Sequence, residues 1–194
     1  MSAASAPMAR WTLPERGPVG MYCLIAAEAA IFTIFVVAYL FYIGKSVTGP
    51  QPKDVLRVPV FFTICLLSSS LTIHLAVKRL GGGRMRSFRA WWLLTAVLGA
   101  IFLAGTAREW RHLIYSEGLT IQTNLFGTTY YSLVGLHAFH VTFGLLALTA
   151  VSVFTFLGYV RQEHAERTAV LSMYWHFVDA VWVVVFLVVY VIGR

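Results

Sequence analysis

Uncharged apolar runs, bounded by glycine, proline or charged side chains, occupy about 18–43, 59–77, 90–107, 128–159 and 169–192. Each comes close to the roughly 20 residues that an α-helix needs to cross a hydrocarbon core. Between Gly127 and Val160 there is not one formally charged side chain. The pattern predicts an all-α integral membrane protein, a bundle of five transmembrane helices forming a single membrane domain over 1–194.

The stretches between the runs support this division. VTGPQPKDVLRVP, between the first two, is Pro-rich and of mixed charge, so it cannot continue a helix and reads as an aqueous loop. KRLGGGRMRSFR, between the second and third, carries Lys78, Arg79, Arg84, Arg86 and Arg89. The positive-inside rule places this loop in the cytoplasm; alternation then puts the N-terminus inside and the C-terminus outside, on the periplasmic face. Lys and Arg number nine on the inner side in this arrangement against six on the outer. The opening MSAASAPMARWTLPERGPVG is polar and lacks a short apolar core followed by a small-residue cleavage site. It predicts no cleaved signal, and a first span that directs insertion and stays in place.

Composition agrees and narrows the function classes. Of 194 residues, 59% are hydrophobic and 12% charged, with a mean hydropathy of +0.75; a water-soluble domain would need more polar surface than this. The formal charge of +7 does not point to nucleic acid, because the basic residues sit in short loops beside apolar spans. Cys23 and Cys65 fall within spans and read as small buried hydrophobes rather than a disulfide. No P-loop, dinucleotide fingerprint, zinc-hydrolase motif or nucleophile elbow occurs.

The ionisable groups left inside the spans are Glu28, His74, His137, His140, His176 and Asp179. A carboxylate at a helix centre costs on the order of 3 kcal/mol on insertion scales, so such groups face a bundle interior and have partners. His137 and His140 in GLHAFHV are three apart and share a helix face, and His176 and Asp179 repeat the spacing in the last span. Four ligand-type side chains on two helices could hold a metal or, with further partners, a haem. Against this stands the lack of a third helix with a well-placed histidine, and the rival reading is cross-helix hydrogen bonding. Trp175 and Trp182 flank Asp179 seven residues apart, nearly on one face, completing a structural polar cluster of His137, His140, His176, Asp179, Trp175 and Trp182. Glu28, in CLIAAEAAIF, reads as a buried carboxylate whose neighbouring alanines admit a second helix, either as a proton-handling group or as an interhelical bond. The hydroxyls of LLSSSLT at 66–72 read as packing groups. Arg108, Glu109 and Trp110 read as an anchoring belt where the third span meets the outer interface.

Taken together, these motifs resemble subunit III of the haem–copper respiratory oxidases. YWHFVDAVWVVVFLVVYVIG at 174–193 resembles the family's final helix, with its Trp-His-Phe-x-Asp-x-x-Trp signature. GLHAFHVTFG at 135–144 is similar to the preceding helix, AREW at 107–110 to the end of the one before, and Glu28 falls where the family has its carbodiimide-reactive carboxylate. Members of the long form have seven helices; this chain resembles the short five-helix bacterial form, with Thr106 where many have glutamine and Ala169 where many have a carboxylate.

The resemblance implies an accessory subunit of a terminal oxidase in aerobic respiration, multi-pass in the bacterial inner membrane, with subunits I and II as partners. Haem and copper would lie in those subunits and no cofactor or metal in this one, and the electron donor of the complex would be cytochrome c or a quinol. The roles implied are stabilising subunit I, supporting its proton uptake and prolonging its turnover, with Glu28 the carboxyl concerned. In the long form the first two helices form one wall of a cleft that holds phospholipids; they have no counterpart here, so membrane phospholipids stay an open partner that the resemblance does not carry over, and nucleic acid is not expected. Two other readings remain at this level: the five-helix accessory protein of a nitric oxide reductase, and a self-sufficient haem protein built on His137, His140 and His176.

Overall fold

The computed structural model describes residues 16–46 and 48–193, so residues 1–15 of the N-terminal segment expected to remain uncleaved lie outside the described residues. In chain order the helices are α1 (Arg16–Tyr42), a single turn α2 (Pro52–Val55), α3 (Val60–Gly81), α4 (Met85–Tyr115), α5 (Leu125–Phe156) and α6 (Ala165–Phe186). A π-helical segment, Leu187–Ile192, prolongs α6. The all-α class is what the structure has: α1, α3, α4, α5 and α6 with its flanking turns are each long and apolar enough to span a bilayer, and no strand occurs among the described residues.

Local chemistry sets several boundaries. Pro52 occupies the first turn of α2, where its missing N–H leaves nothing unpaired, and Pro59 stands as the N-cap of α3. Asn124 caps α5 by accepting the Gly127 N–H at 2.8 Å. The tight return from α3 to α4 runs through Gly83 at φ 71°, a left-handed conformation that side chains rarely adopt. The third span differs most from its expected limits of 90–107, because α4 continues from Met85 to Tyr115. Hydropathy marks where the hydrocarbon ends, whereas backbone hydrogen bonding continues into the interface until a breaker intervenes. The first glycine after Gly105 is Gly118.

The α3–α4 hairpin is the most extensive helix pairing, α5 lies against α1, α4 and α6, and α6 touches α1, α3 and α5. Half of the apolar window of the last span is buried, against 11% for α1. The outermost helix therefore buries little but Phe32 and Tyr39. Cys23 on this helix is exposed, in contrast to the buried position expected for it, whereas Cys65 is buried.

The middle of the bundle is organised around Trp175. Its indole is fully buried, its N–H donates to Ser69 Oγ of α3 at 2.8 Å, and its ring fills the space left by two glycines. A Cβ placed on Gly99 of α4 would lie 2.8 Å from that ring, and one on Gly144 of α5 would lie 2.9 Å from it. Small residues that let helices approach are a main source of packing in a solvent as apolar as leucine.

Gly99→Ala and Gly144→Ala are expected to cost about 1–3 kcal/mol each through overpacking. Gly20→Ala, where the added methyl meets open space, should stay within about 0.5 kcal/mol. Reversible denaturation of the full chain in mixed micelles measures the difference; equal losses at all three glycines would refute the role given to Trp175.

Candidate functional site

The polar groups of the spans form four separate sets rather than the single cluster expected from their spacing. At the middle of the bundle, Glu28 of α1 meets His140 of α5, with 3.0 Å between Oε2 and Nε2. His140 Nδ1 lies 2.7 Å from the Leu136 carbonyl. A carbonyl only accepts, so Nδ1 carries the hydrogen and donates. One proton then remains for the Nε2–Oε2 bond. Whether it sits on nitrogen or on oxygen, the pair has no net charge, which spares it the larger cost of an uncompensated charge at mid-membrane. Glu28 is not the fully buried carboxylate expected: 23% of its side chain is exposed, against 8% for His140. The flanking Ala26, Ala27 and Ala30 also face outward.

The second set joins α6 to α3. Spacing had paired His176 directly with Asp179, but Ser70 stands between them. The Ser70 hydroxyl donates to Asp179 Oδ2, and His176 Nδ1 lies 3.0 Å from Ser70 Oγ. A hydroxyl has one hydrogen to give, so His176 Nδ1–H is the donor to Ser70 and the chain runs His176 to Ser70 to Asp179. A nucleophilic serine would instead hand its proton to the imidazole, with the carboxylate behind the ring. The order found here makes a clasp. Two further donors lie along the same seam: the Trp175 N–H to Ser69 Oγ and the Trp182 N–H to Thr63 Oγ1 at 3.2 Å. The hydroxyls of 66–72 thus receive α6, and Thr72 meets Thr95 of α4 at 2.7 Å.

His137 shares a face with His140 but not its neighbours. Its ring is fully buried, stacked on Trp182 at 4.9 Å and 29°, with Phe102 edge-on at 5.7 Å. Neither ring nitrogen has a hydrogen-bond partner among the described residues. His74 is exposed. The four ligand-type side chains considered together in the sequence are thus divided among Glu28, Ser70 and Trp182. Among the described residues, no three His, Cys, Asp or Glu side chains converge as a metal site would require.

The fourth set lies where the end of α4, the start of α5 and the π-helical extension of α6 meet. Tyr190 donates its hydroxyl to Glu109, 3.0 and 3.1 Å from the two oxygens, and Tyr130 stands 3.5 Å from Tyr190. Glu109 is therefore drawn inward, and Trp110 packs against Tyr131 at 5.4 Å. Of the expected belt, Arg108 alone is exposed. The reason is geometric: residues 108, 109 and 110 lie 100° apart around one helix and cannot all point away from the bundle.

Ser70, Tyr190, Tyr130 and the glycines beside Trp175 were not singled out from the sequence as site residues. Tyr190 had a signal, since it continues by helical steps the face that carries Trp175, Asp179 and Trp182. The pairing of Ser70 with two residues over 100 positions away had none.

These features define a polytopic α-helical membrane protein in which polar side chains join helix to helix. The Cytochrome c oxidase subunit III family model matches residues 17–194. The chain belongs to this family, and is a subunit of a haem–copper oxidase, an oxidoreductase complex. It is 37% identical over 188 residues to cytochrome c oxidase subunit 3 of Synechocystis sp. (92% of this chain, 77% of that one). Identity is 33% over 177 residues to the Bacillus sp. (strain PS3) protein of that name (90% and 85%). It is 34% over 196 residues to the Corynebacterium diphtheriae one (98% and 95%).

If Ser70 holds α6 to α3 as a clasp, Ser70→Ala and His176→Ala should be coupled rather than additive. Membrane hydrogen bonds average about 0.6 kcal/mol with a maximum near 1.7, so a coupling energy of roughly 0.5–1.5 kcal/mol is expected from a double-mutant cycle. A value indistinguishable from zero would remove the clasp.

Proposed function

We propose that this chain serves its oxidase as a cofactor-free accessory subunit that stabilises subunit I, supports its proton uptake and prolongs its turnover. Subunits I and II are its partners and hold the haem and copper. The complex lies in the bacterial inner membrane and works in aerobic respiratory electron transport, with the Arg-rich α3–α4 turn on the cytoplasmic side. In this orientation the N-terminus is cytoplasmic and the C-terminus periplasmic, which agrees with the excess of basic residues on the cytoplasmic side.

The observation that carries the proposal is the Glu28–His140 pair. It lies at mid-membrane on the most exposed helix, with part of the carboxylate open and a patch of alanines around it. A polar pair facing lipid at that depth is costly, whereas one facing a larger membrane protein is shielded and can exchange a proton with groups across the interface. The alanines let a partner helix come close. With a single shared proton the pair can pass one on only as another is taken up if no net charge is to be left at that depth.

The first test is composition. The native complex containing this chain should include a haem–copper subunit I, and its absence would sink the proposal. The isolated chain should show no Soret band; such a band would place haem on this chain. Glu28→Ala should still copurify with the large subunits, with slower proton uptake or earlier inactivation during turnover. Wild-type values for both would leave Glu28 a packing residue. His176→Ala and Asp179→Asn should lower the yield of assembled complex while leaving oxygen reduction per assembled complex nearly unchanged; normal yield with abolished turnover would contradict this.

A further inference from the structure

Trp182, Tyr190, Tyr130, Tyr131 and Trp110 form a row from the middle of the bundle to the end of α4. The ring centroids of Trp182 and Tyr190 lie 6.3 Å apart, and the hydroxyls of Tyr190 and Tyr130 lie 3.5 Å apart. Tyr131 follows Tyr130 at 5.2 Å between centroids, and Trp110 follows Tyr131 at 5.4 Å. Trp182, Tyr190, Tyr130 and Tyr131 are buried, whereas Trp110 is half-buried and reaches the surface. Indole and phenol give up a single electron more readily than most side chains, and rings in contact pass one between them. Close-packed rings are also an ordinary way to fill a core, so contact by itself assigns no chemistry.

The destination of the protons distinguishes one member of the row. A phenol that has lost an electron is a strong acid, and the electron vacancy rests where a base can take the proton. Tyr131 donates to the Leu119 carbonyl at 2.8 Å, which is no base. Trp182 donates to the Thr63 hydroxyl at 3.2 Å, Tyr130 has the Tyr190 hydroxyl beside it, and the Trp110 N–H has no partner among the described residues. Tyr190 faces a carboxylate, with 3.0 and 3.1 Å to the two oxygens of Glu109.

Charge favours the same residue. Before oxidation the phenol and carboxylate together carry one negative charge; afterwards the phenoxyl radical and carboxylic acid carry none. Loss of charge is favourable beside a hydrocarbon solvent. The backbone also departs from regularity here: Tyr190 sits in the π-helical segment Leu187–Ile192, and such segments are frequent at functional sites.

We propose that Tyr190 is a one-electron oxidation site, a sink for radicals that reach the membrane surface. An oxidant of the peroxyl radical class takes one electron from Trp110 and, with one proton from water, becomes a hydroperoxide. The electron vacancy passes through Tyr131 and Tyr130 to Tyr190, whose proton moves to Glu109. A quinol then gives one electron back along the row, becoming a semiquinone and releasing one proton to water, while Glu109 returns its proton to the phenoxyl oxygen. The site uses neither Glu28 nor His140.

The test oxidises the full chain, in phosphatidylcholine nanodiscs, with ruthenium(III) tris(bipyridine) generated by a light flash in the presence of persulfate. Samples frozen after the flash are read by electron paramagnetic resonance. The wild-type chain should give a neutral tyrosyl signal that Tyr190→Phe loses; an undiminished signal in that variant would overturn the assignment. Glu109→Gln separates proton transfer from packing, because the amide oxygen still accepts the Tyr190 hydrogen bond but does not take up the proton. Its signal should be lost and should return in part in Glu109→Asp; a wild-type signal in Glu109→Gln would make the pair a packing contact and overturn the site.

Tyr174→Phe, off the row and bonded to the His140 carbonyl, should leave the signal unchanged; its loss there would place the radical elsewhere. In deuterium oxide the wild-type signal should appear more slowly, since a proton moves with the electron, and equal rates would overturn the part given to Glu109. Peroxyl radicals from an azo initiator should produce the same signal and added quinol should erase it; failure of either would overturn the sink.

Discussion

The structure depends on one constraint, that the solvent around these helices is as apolar as their side chains. Burying leucine against leucine gains little there, so helix association rests on close packing and on hydrogen bonds that water does not contest. The seam between α3 and α6 supplies both. Trp175 fits against Gly99 and Gly144 and donates to Ser69, Ser70 links His176 and Asp179, and Trp182 donates to Thr63. Each bond has a modest net value, but they lie along one face of one helix and act on the same interface. Trp175 also meets α3, α4 and α5 at once, so loss of its fit would loosen three pairings together.

That constraint leaves α1 in a different position. Its contacts are with α5 and α6, and the clasp between α3 and α6 does not involve it. Its own polar link is the Glu28–His140 bond, reinforced by Phe32, whose ring centroid lies 5.0 Å from that of His140. A helix held by one neutral proton-sharing pair, and exposing most of its surface, is suited to gain further contacts on assembly. The same pair therefore secures the helix within the chain and offers a proton-bearing group at its surface.

The sequence made the five spans legible because length and hydropathy are properties of contiguous residues, and the membrane reads them in the same way. Their ends were less so. The boundary of α4 was placed at the last uncharged residue, yet the helix carries Arg108, Glu109 and Trp110 through a further turn and beyond. The candidate residues Glu28, His140, His176 and Asp179 were found because ionisable groups in lipid are conspicuous. Their partners were not, because Ser70 and His176 meet across 106 positions and Glu28 and His140 across 112. Spacing on one helix shows which residues share a face, and stops short of which helix that face meets. His137 and His140 share a face, yet one stacks on Trp182 and the other bonds to Glu28.

The contrast between the two half-exposed carboxylates indicates how one bundle can serve several neighbours. Glu28 faces outward from the middle of α1 with an imidazole behind it, so its surroundings admit a proton but contain no fixed cation. Glu109 lies near the end of α4 with a tyrosine hydroxyl behind it and two arginines beside it. Depth and company separate their chemistry: at mid-membrane the group must remain neutral in sum with its partner, whereas at the interface fixed charges of both signs are tolerated. The polar residues that hold the helices together are thus also those that determine what each part of the outer surface can receive.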